Sequence, residues 1–229
     1  MDMSGRTTLI TGATGGLGQY MAETIAELGG DLILVDRLES NYSPLKEKLK
    51  QYRCHVECID CDLENDEHRA KLTQEIIDNE FPIDVLINNA AFGGTTDLQG
   101  WVTPFEDQTV DTWRRAIEVN LTASFDLSKA LLPQLKKNGN GSIINIASIY
   151  GVSGPVHSMY EGTDMGNPAA YSVSKGGLIQ LTRWLATTIA PEVRVNAISP
   201  GGVFRNQPEE FVERYERRTP LGRMATEED

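Results

Sequence analysis

A doubly wound α/β fold, with one parallel β-sheet and helices on both of its faces, is what this 229-residue sequence predicts, on three observations. Apolar, β-rich runs alternate with helical patterns along the whole chain, the order that generates parallel strands joined by crossover helices. A glycine-rich turn follows the first β-run directly and opens a helical pattern. No internal repeat, low-complexity tract or Pro/Ser-rich linker breaks the alternation, so residues 1–229 are expected to form a single domain, with 40% apolar residues to build its core.

The first strand is placed at Thr7 to Thr11 and is followed by a helix over Leu17 to Leu28. The run Leu32 to Asp36 is the second strand, and Pro44 to Tyr52 a helix with Ser43 as its cap and Pro44 at its first position, where a missing N–H is harmless. Strands then follow at His55 to Ile59, Val85 to Asn88, Ser142 to Ala147 and Arg194 to Ile198, the last after a long helix that begins near Pro168. Two stretches interrupt the rhythm, Phe92 to Glu106 and Gly151 to Asn167, both rich in Gly, Pro and polar residues and both following strand ends. In open α/β sheets ligands bind beyond the carboxyl ends of the strands, which makes these stretches candidate substrate loops.

With 21 basic against 33 acidic side chains the formal charge is −12. Such a surface repels phosphate backbones and anionic lipid, so neither nucleic acid nor membrane is expected as a partner. The N-terminus reaches a polar, glycine-rich segment without an apolar signal core, and a cytoplasmic location is the default expectation. Cys54, Cys58 and Cys61 cluster around His55, but a closed zinc site usually takes two separated ligand pairs and no second half exists. They are expected to be small buried residues on and beside a strand in a reducing compartment, and no metal is expected.

The turn reads Thr11-Gly12-Ala13-Thr14-Gly15-Gly16-Leu17-Gly18. Glycines here let the backbone turn tightly, approach a pyrophosphate, and aim a helix N-terminus at its charge. Asp36 ends the second strand, about the ~20 residues further on at which a carboxylate meets the adenosine ribose. Its charge also repels a 2′-phosphate, which favours NAD over NADP, although Arg37 beside it could pair with that phosphate.

These residues resemble the TGxxxGxG turn of the short-chain dehydrogenase/reductase family, in its compact branch, and later motifs agree along essentially the whole chain. Asp62-Leu63 resembles the adenine-contacting pair, Asn88-Asn89-Ala90-Ala91 the family's NNAG, and Pro200-Gly201, with Val203 just beyond, the turn beside the nicotinamide. Asn120, Ser148, Tyr171 and Lys175 resemble the catalytic tetrad. The resemblance implies a Rossmann-type sheet, a nicotinamide dinucleotide, and hydride exchange with a secondary alcohol or ketone. It further implies that Lys175 holds the nicotinamide ribose and that Asn120 links that lysine to bulk water.

The proton chemistry can be argued from the residues. Oxidising an alcohol requires a base for the hydroxyl proton, and reduction requires the same group as an acid. A tyrosine titrates near ~10 and needs positive charge nearby to act as a base, which Lys175, one helical turn from Tyr171, would supply. Ser148 would hydrogen-bond the substrate oxygen. Tyr42 and Lys46 form a second YxxxK, but Pro44 interrupts it at a helix start and Tyr42 is expected to be solvated.

Four features depart from the family. Arg205 stands where a threonine normally bonds the nicotinamide carboxamide; it either reaches the cofactor's phosphates or a substrate anion, or is simply solvated. Ala91 replaces the last glycine of NNAG. The gap from Ser148 to Tyr171, through His157 to Asp164, is longer than usual; with Trp101 and the Phe92 to Thr96 loop opposite, its polar character favours a hydroxylated, sugar-like substrate over an acyl chain. Members of the family continue past the position of Asp229 with a helix and a seventh strand, so this chain is expected to stop before that strand and to leave a sheet edge open. In that family the helices after Asn120 and from Ala169 to Ala190 are the usual dimer-forming pair, so the resemblance implies a homodimer or homotetramer. Competing readings are a 3-oxoacyl thioester reductase, a sugar-nucleotide epimerase or dehydratase, which the glycine spacing opposes, and a catalytically silent dinucleotide sensor or scaffold, which the four tetrad residues oppose.

Overall fold

The computed structural model describes residues 2–93 and 96–229; Gly94 and Thr95, within the expected Phe92 to Thr96 loop, lie outside the described residues. Six parallel strands, β1 (Thr7–Thr11), β2 (Asp31–Asp36), β3 (Val56–Asp60), β4 (Val85–Asn88), β5 (Gly141–Ile146) and β6 (Val193–Ile198), form one sheet in the order 3-2-1-4-5-6. The chain crosses over through α1 (Gly16–Glu27), α2 (Ser43–Leu49), α3 (Asp66–Asp78), α4 (Val110–Ile117), α5 (Ala123–Ala130), α6 (Leu132–Lys137) and α7 (Ala169–Thr188), and α8 (Glu209–Glu216) follows β6. This is the Rossmann-type sheet expected from the alternation.

Each central strand is buried on both faces, so its residues divide alternately between two cores. Leu9, Ile33, Val35 and Leu86 pack with Leu72 and Ile76 of α3, Leu127 of α5 and Leu185 of α7. Ile10, Leu32, Leu34 and Ile87 pack on the other face with Ala22 and Ala26 of α1 and Leu45 of α2. Strand order reverses between β1 and β4, and the crevice at their carboxyl ends is where such sheets take their ligands.

Predicted strand boundaries hold to within one residue at each end. Both of the first two helices start one residue early: α1 at Gly16 in place of Leu17, and α2 at Ser43, which is inside the helix and does not cap it. The Asn41 side chain accepts the Ser43 N–H at 3.0 Å, and this local turn starts the helix a residue early. The same helix closes at Leu49, short of the expected Tyr52.

Candidate active site

The glycine turn occupies the crevice. Gly12 takes φ 65°, and a Cβ there would stand 2.9 Å from the Ala90 Cα, so both the conformation and the close approach of the β4 end require glycine. Thr11 Oγ1 accepts the N–H groups of Asn89 and Ala90, and Asn89 Nδ2 donates to the Thr11 and Gly12 carbonyls at 2.9 and 3.0 Å. Asn89 and Ala90 therefore lock the turn to β4. A Cβ on Gly18 would be built into the Gly12 carbonyl, and Gly15 begins the helix without a side-chain cap. An open, positively polarised helix end on a bare glycine ledge suits a pyrophosphate, so these residues fit the dinucleotide.

Asp36 sits at the tip of β2. Its Oδ2 accepts Thr14 N–H and Oγ–H at 2.8 and 2.7 Å, and its Oδ1 accepts the Arg37 N–H and the Ser40 hydroxyl. The carboxylate thus ties the glycine turn to the following loop, while the Arg37 side chain is exposed. After β3, Asp62 accepts the Glu64 N–H and Leu63 is buried, its carbonyl held by Arg69. Leu17 is half-buried against α1's core face and Ala91 is exposed. Beyond β6, the Pro200 carbonyl accepts the Ile149 N–H, Gly201 lies under the Tyr215 hydroxyl, and Val203 bridges Ala225.

Ser148, Tyr171 and Lys175 meet at the same end of the sheet. Ser148, just past β5, accepts the Tyr150 N–H at 3.2 Å and so caps a short 3-10 turn over Ile149–Gly151, which leaves its own O–H to donate outward. Tyr171 and Lys175 lie one turn apart on α7. Lys175 is 2% exposed, donates to the Ile146 carbonyl at 2.6 Å, and has its ammonium 5.9 Å from the centre of the Tyr171 ring. Burial pulls the Lys175 ammonium down to about 8. The Tyr171 phenol is raised above its ordinary value: burial is the larger cause and the hydrogen bond with Ser148 pulls the other way. Removal from water outweighs an ammonium that points at a backbone carbonyl.

Asn120 is buried in a single π-helical turn, Glu118–Thr122, between α4 and α5. Such insertions re-aim one side chain out of the regular ladder. Its Oδ1 accepts the Phe92 N–H at 2.7 Å and its Nδ2 donates to Ser174 Oγ at 3.0 Å. The side chain clamps the loop after β4 to α7 one residue from Lys175.

Two sequence expectations change here. Trp101 is not a pocket wall; it is 1% exposed, donates to the Gly93 carbonyl at 2.8 Å, and packs with Ala116, Ala170 and Tyr171, so it backs the tyrosine from within the core. Tyr42 is not solvated: it is half-buried and donates to the Ile59 carbonyl at 3.1 Å, because its ring packs into the core beneath α2. The cysteines are free; Cys61 is buried and Cys54 and Cys58 are partly buried, and burial raises all three thiols.

Several groups had weak or no sequence signals. The long stretch after Gly151 docks on α8, with Met159, Phe211 and Met224 buried together and Arg214 donating to the Met159 and Glu161 carbonyls. That docking brings Tyr160 to Tyr150, with hydroxyls 2.6 Å apart. Burial raises both phenols, so both stay neutral. Arg69 is 4% exposed and pairs with Glu118 at 2.7 Å and Asp126 at 2.9 Å, joining α3 to the π turn and α5. Its place on the buried stripe with Leu72, Thr73 and Ile76 is the pattern that could have found it. Among the described residues no group of three or more His, Cys, Asp or Glu comes together, and no helix is long and apolar enough to cross a membrane.

A ledge shaped for a pyrophosphate and an acid/base group at the same end of the sheet place hydride chemistry and proton chemistry on one substrate carbon and its oxygen. The class so defined is a nicotinamide-dependent oxidoreductase. Residues 6–211 match the short chain dehydrogenase family profile, and the chain belongs to the short-chain dehydrogenase/reductase family, acting on CH–OH groups with NAD(P). A 3-oxoacyl-(acyl-carrier-protein) reductase, FabG of Aquifex aeolicus (strain VF5), is 30% identical over 235 residues, covering 100% of this chain and 88% of that protein. Among solved structures, an NAD+-bound xylitol dehydrogenase superposes with a TM-score of 0.83 at 27% identity over 99% of this chain and 89% of its own. The Pseudomonas aeruginosa RhlG complex with NADP gives a TM-score of 0.83 at 27% identity, covering 99% and 86%. Solved relatives thus carry either dinucleotide.

Proposed function

We propose that this enzyme interconverts a hydroxylated secondary alcohol and its ketone, with NAD(H) preferred over NADP(H). The observation that carries the proposal is the convergence of Ser148, Tyr171 and Lys175 at the same carboxyl end of the sheet as the glycine turn. The bound nicotinamide supplies or accepts the hydride. Ser148, its oxygen already accepting from Tyr150, donates its O–H to the substrate oxygen; Tyr171 gives a proton to that oxygen in reduction and takes it in oxidation. Lys175 keeps positive charge beside the phenol and is set by burial to exchange protons near neutrality. Asn120 clamps the loop after β4 to α7 beside Lys175, and the resemblance to the family supports a role for it in linking that lysine to water. On the adenosine side, Asp36 would exchange its Ser40 and Thr14 bonds for ribose hydroxyls and repel a 2′-phosphate.

The neutral Tyr150–Tyr160 hydroxyl pair, next to Ser148 and Tyr171, supports a substrate that carries further hydroxyls. A second reading, a 3-oxoacyl thioester reductase, is favoured by the FabG relative. The test is fluorescence titration with NADH and NADPH, beside turnover of wild type and Tyr171→Phe on sugars, polyols and acyl thioesters. Tighter NADH binding, with turnover lost by ~10²-fold or more and binding kept in the variant, supports the proposal; full activity in Tyr171→Phe refutes the assigned chemistry. Free thiols support a cytoplasmic location. Phe125, Val173 and Trp184, exposed on α5 and α7, support a homo-oligomer, which sedimentation velocity would read.

A further inference from the structure

We infer that Arg205 binds the dinucleotide's pyrophosphate and that Glu227 holds it in reserve until that phosphate arrives. The inference rests on the dinucleotide reading above and adds a phosphate ligand outside the glycine turn. The Arg205 guanidinium lies against the open side of Gly16, the first residue of α1; a Cβ built there would stand 2.5 Å from Nη2 and 2.6 Å from Cζ. A cation at the amino end of a helix is unfavourably placed, because that end is itself positive. No side chain relieves it locally, since Gly15 offers no cap and the first turn of α1 holds no acidic residue. An anion reaching both the helix end and the guanidinium would resolve the conflict, and a pyrophosphate on the glycine turn is that anion.

Glu227 now supplies part of the charge. The parallel bridge between Val203 and Ala225 sets residues two further along each segment side by side, and Arg205 Nε donates to Glu227 Oε1 at 2.9 Å. The pair is made through Nε alone, so among the described residues the Nη edge over Gly16 has no acceptor. Arg205 is half-exposed, which leaves the side chain free to turn from Glu227 to a phosphate over a short distance.

The experiment is calorimetric titration of the full chain with NADH, ADP-ribose and adenosine, for wild type, Arg205→Ala and Glu227→Gln. Arg205→Ala should weaken NADH and ADP-ribose about tenfold, the scale of one charge-assisted hydrogen bond, and leave adenosine unchanged. Glu227→Gln should tighten the two pyrophosphate ligands severalfold by freeing the guanidinium, and Arg205→Lys should recover part of the loss. A purely structural ion pair predicts that both single variants weaken binding alike, or that neither changes it; either result overturns the inference. If wild type binds NADH as expected and Arg205→Ala matches it, only the role of Arg205 falls. If wild type binds no dinucleotide, the reading on which the role depends falls with it.

Discussion

Replacing Lys175 by Met should stabilise the folded chain near neutral pH and abolish one component of its pH dependence. The ammonium is 2% exposed, and burial lowers it from 10.5 to about 8. Between those values the unfolded chain binds a proton that the folded chain releases. This group's contribution therefore rises with pH from about 8 to 10.5, and its full penalty is present below 8. Two and a half pH units at ~1.4 kcal/mol each put that penalty at about 3 kcal/mol. Against it stands the hydrogen bond to the Ile146 carbonyl, whose loss costs about 1 to 2 kcal/mol. Lys175→Met should thus be about 1 to 2 kcal/mol more stable at pH 7. Wild type alone does not isolate the effect, because the raised Cys61 thiol and the raised Tyr171 phenol lose stability as pH climbs. The difference between the two proteins does. In urea unfolding at several pH values from 7 to 9.5, the variant's advantage should shrink by about 2 kcal/mol across the upper part of that range. A difference that stays flat with pH would refute the assignment of a buried, depressed lysine.

Arg69→Ala should destabilise the fold by about 3 kcal/mol, the lower end for a broken buried pair because Glu118 and Asp126 keep partial access to water; equilibrium unfolding reads this directly. Gly18→Ala drives a Cβ into the Gly12 carbonyl and should lower NADH affinity by at least ~10-fold while costing about 1 to 3 kcal/mol of stability; unchanged affinity would show that the turn tolerates displacement. Tyr160→Phe removes one hydroxyl of the 2.6 Å pair and should reduce kcat/KM about tenfold for polyol substrates, with NADH affinity unchanged. An equal loss on unhydroxylated alcohols would mean that the pair only braces the loop.

The parts of the fold that were legible in the sequence are those enforced by local chemistry. β1 and β2 read as strands because both of their faces are buried, and the glycine turn was visible because Gly12 and Gly18 face backbone that admits no side chain. Ser148, Tyr171 and Lys175 were legible through their resemblance to the family's tetrad; spacing alone did not single them out, because Tyr42 and Lys46 repeat the YxxxK of α7. What escaped depended on partners distant in sequence. Arg69 is defined by Asp126, and Tyr160 by Tyr150 across a stretch whose path is set by Met159, Phe211 and Met224. Asn88 joins Asn145, which in turn reaches Thr182 at 2.8 Å, a buried polar chain across the sheet that no periodicity announces.

The misjudged residues share one physical cause. Tyr42 is expected in solvent because Pro44 breaks its helical pairing with Lys46, and Trp101 in a pocket because it faces the long loop, yet each satisfies its polar atom with one backbone carbonyl, Ile59 or Gly93, and packs its ring into the core. Lys175 follows the same rule in charged form, with Ile146 as its carbonyl, and the consequence is chemical as well as structural. A single acceptor orients the ammonium but does not replace its hydration, so its proton is held loosely while the neighbouring phenol, also buried, holds its own more tightly. Desolvation moves the two groups toward opposite protonation preferences from a single source. The core that packs on the phenol, Trp101, Ala116 and Ala170, must offset the cost of keeping them out of water.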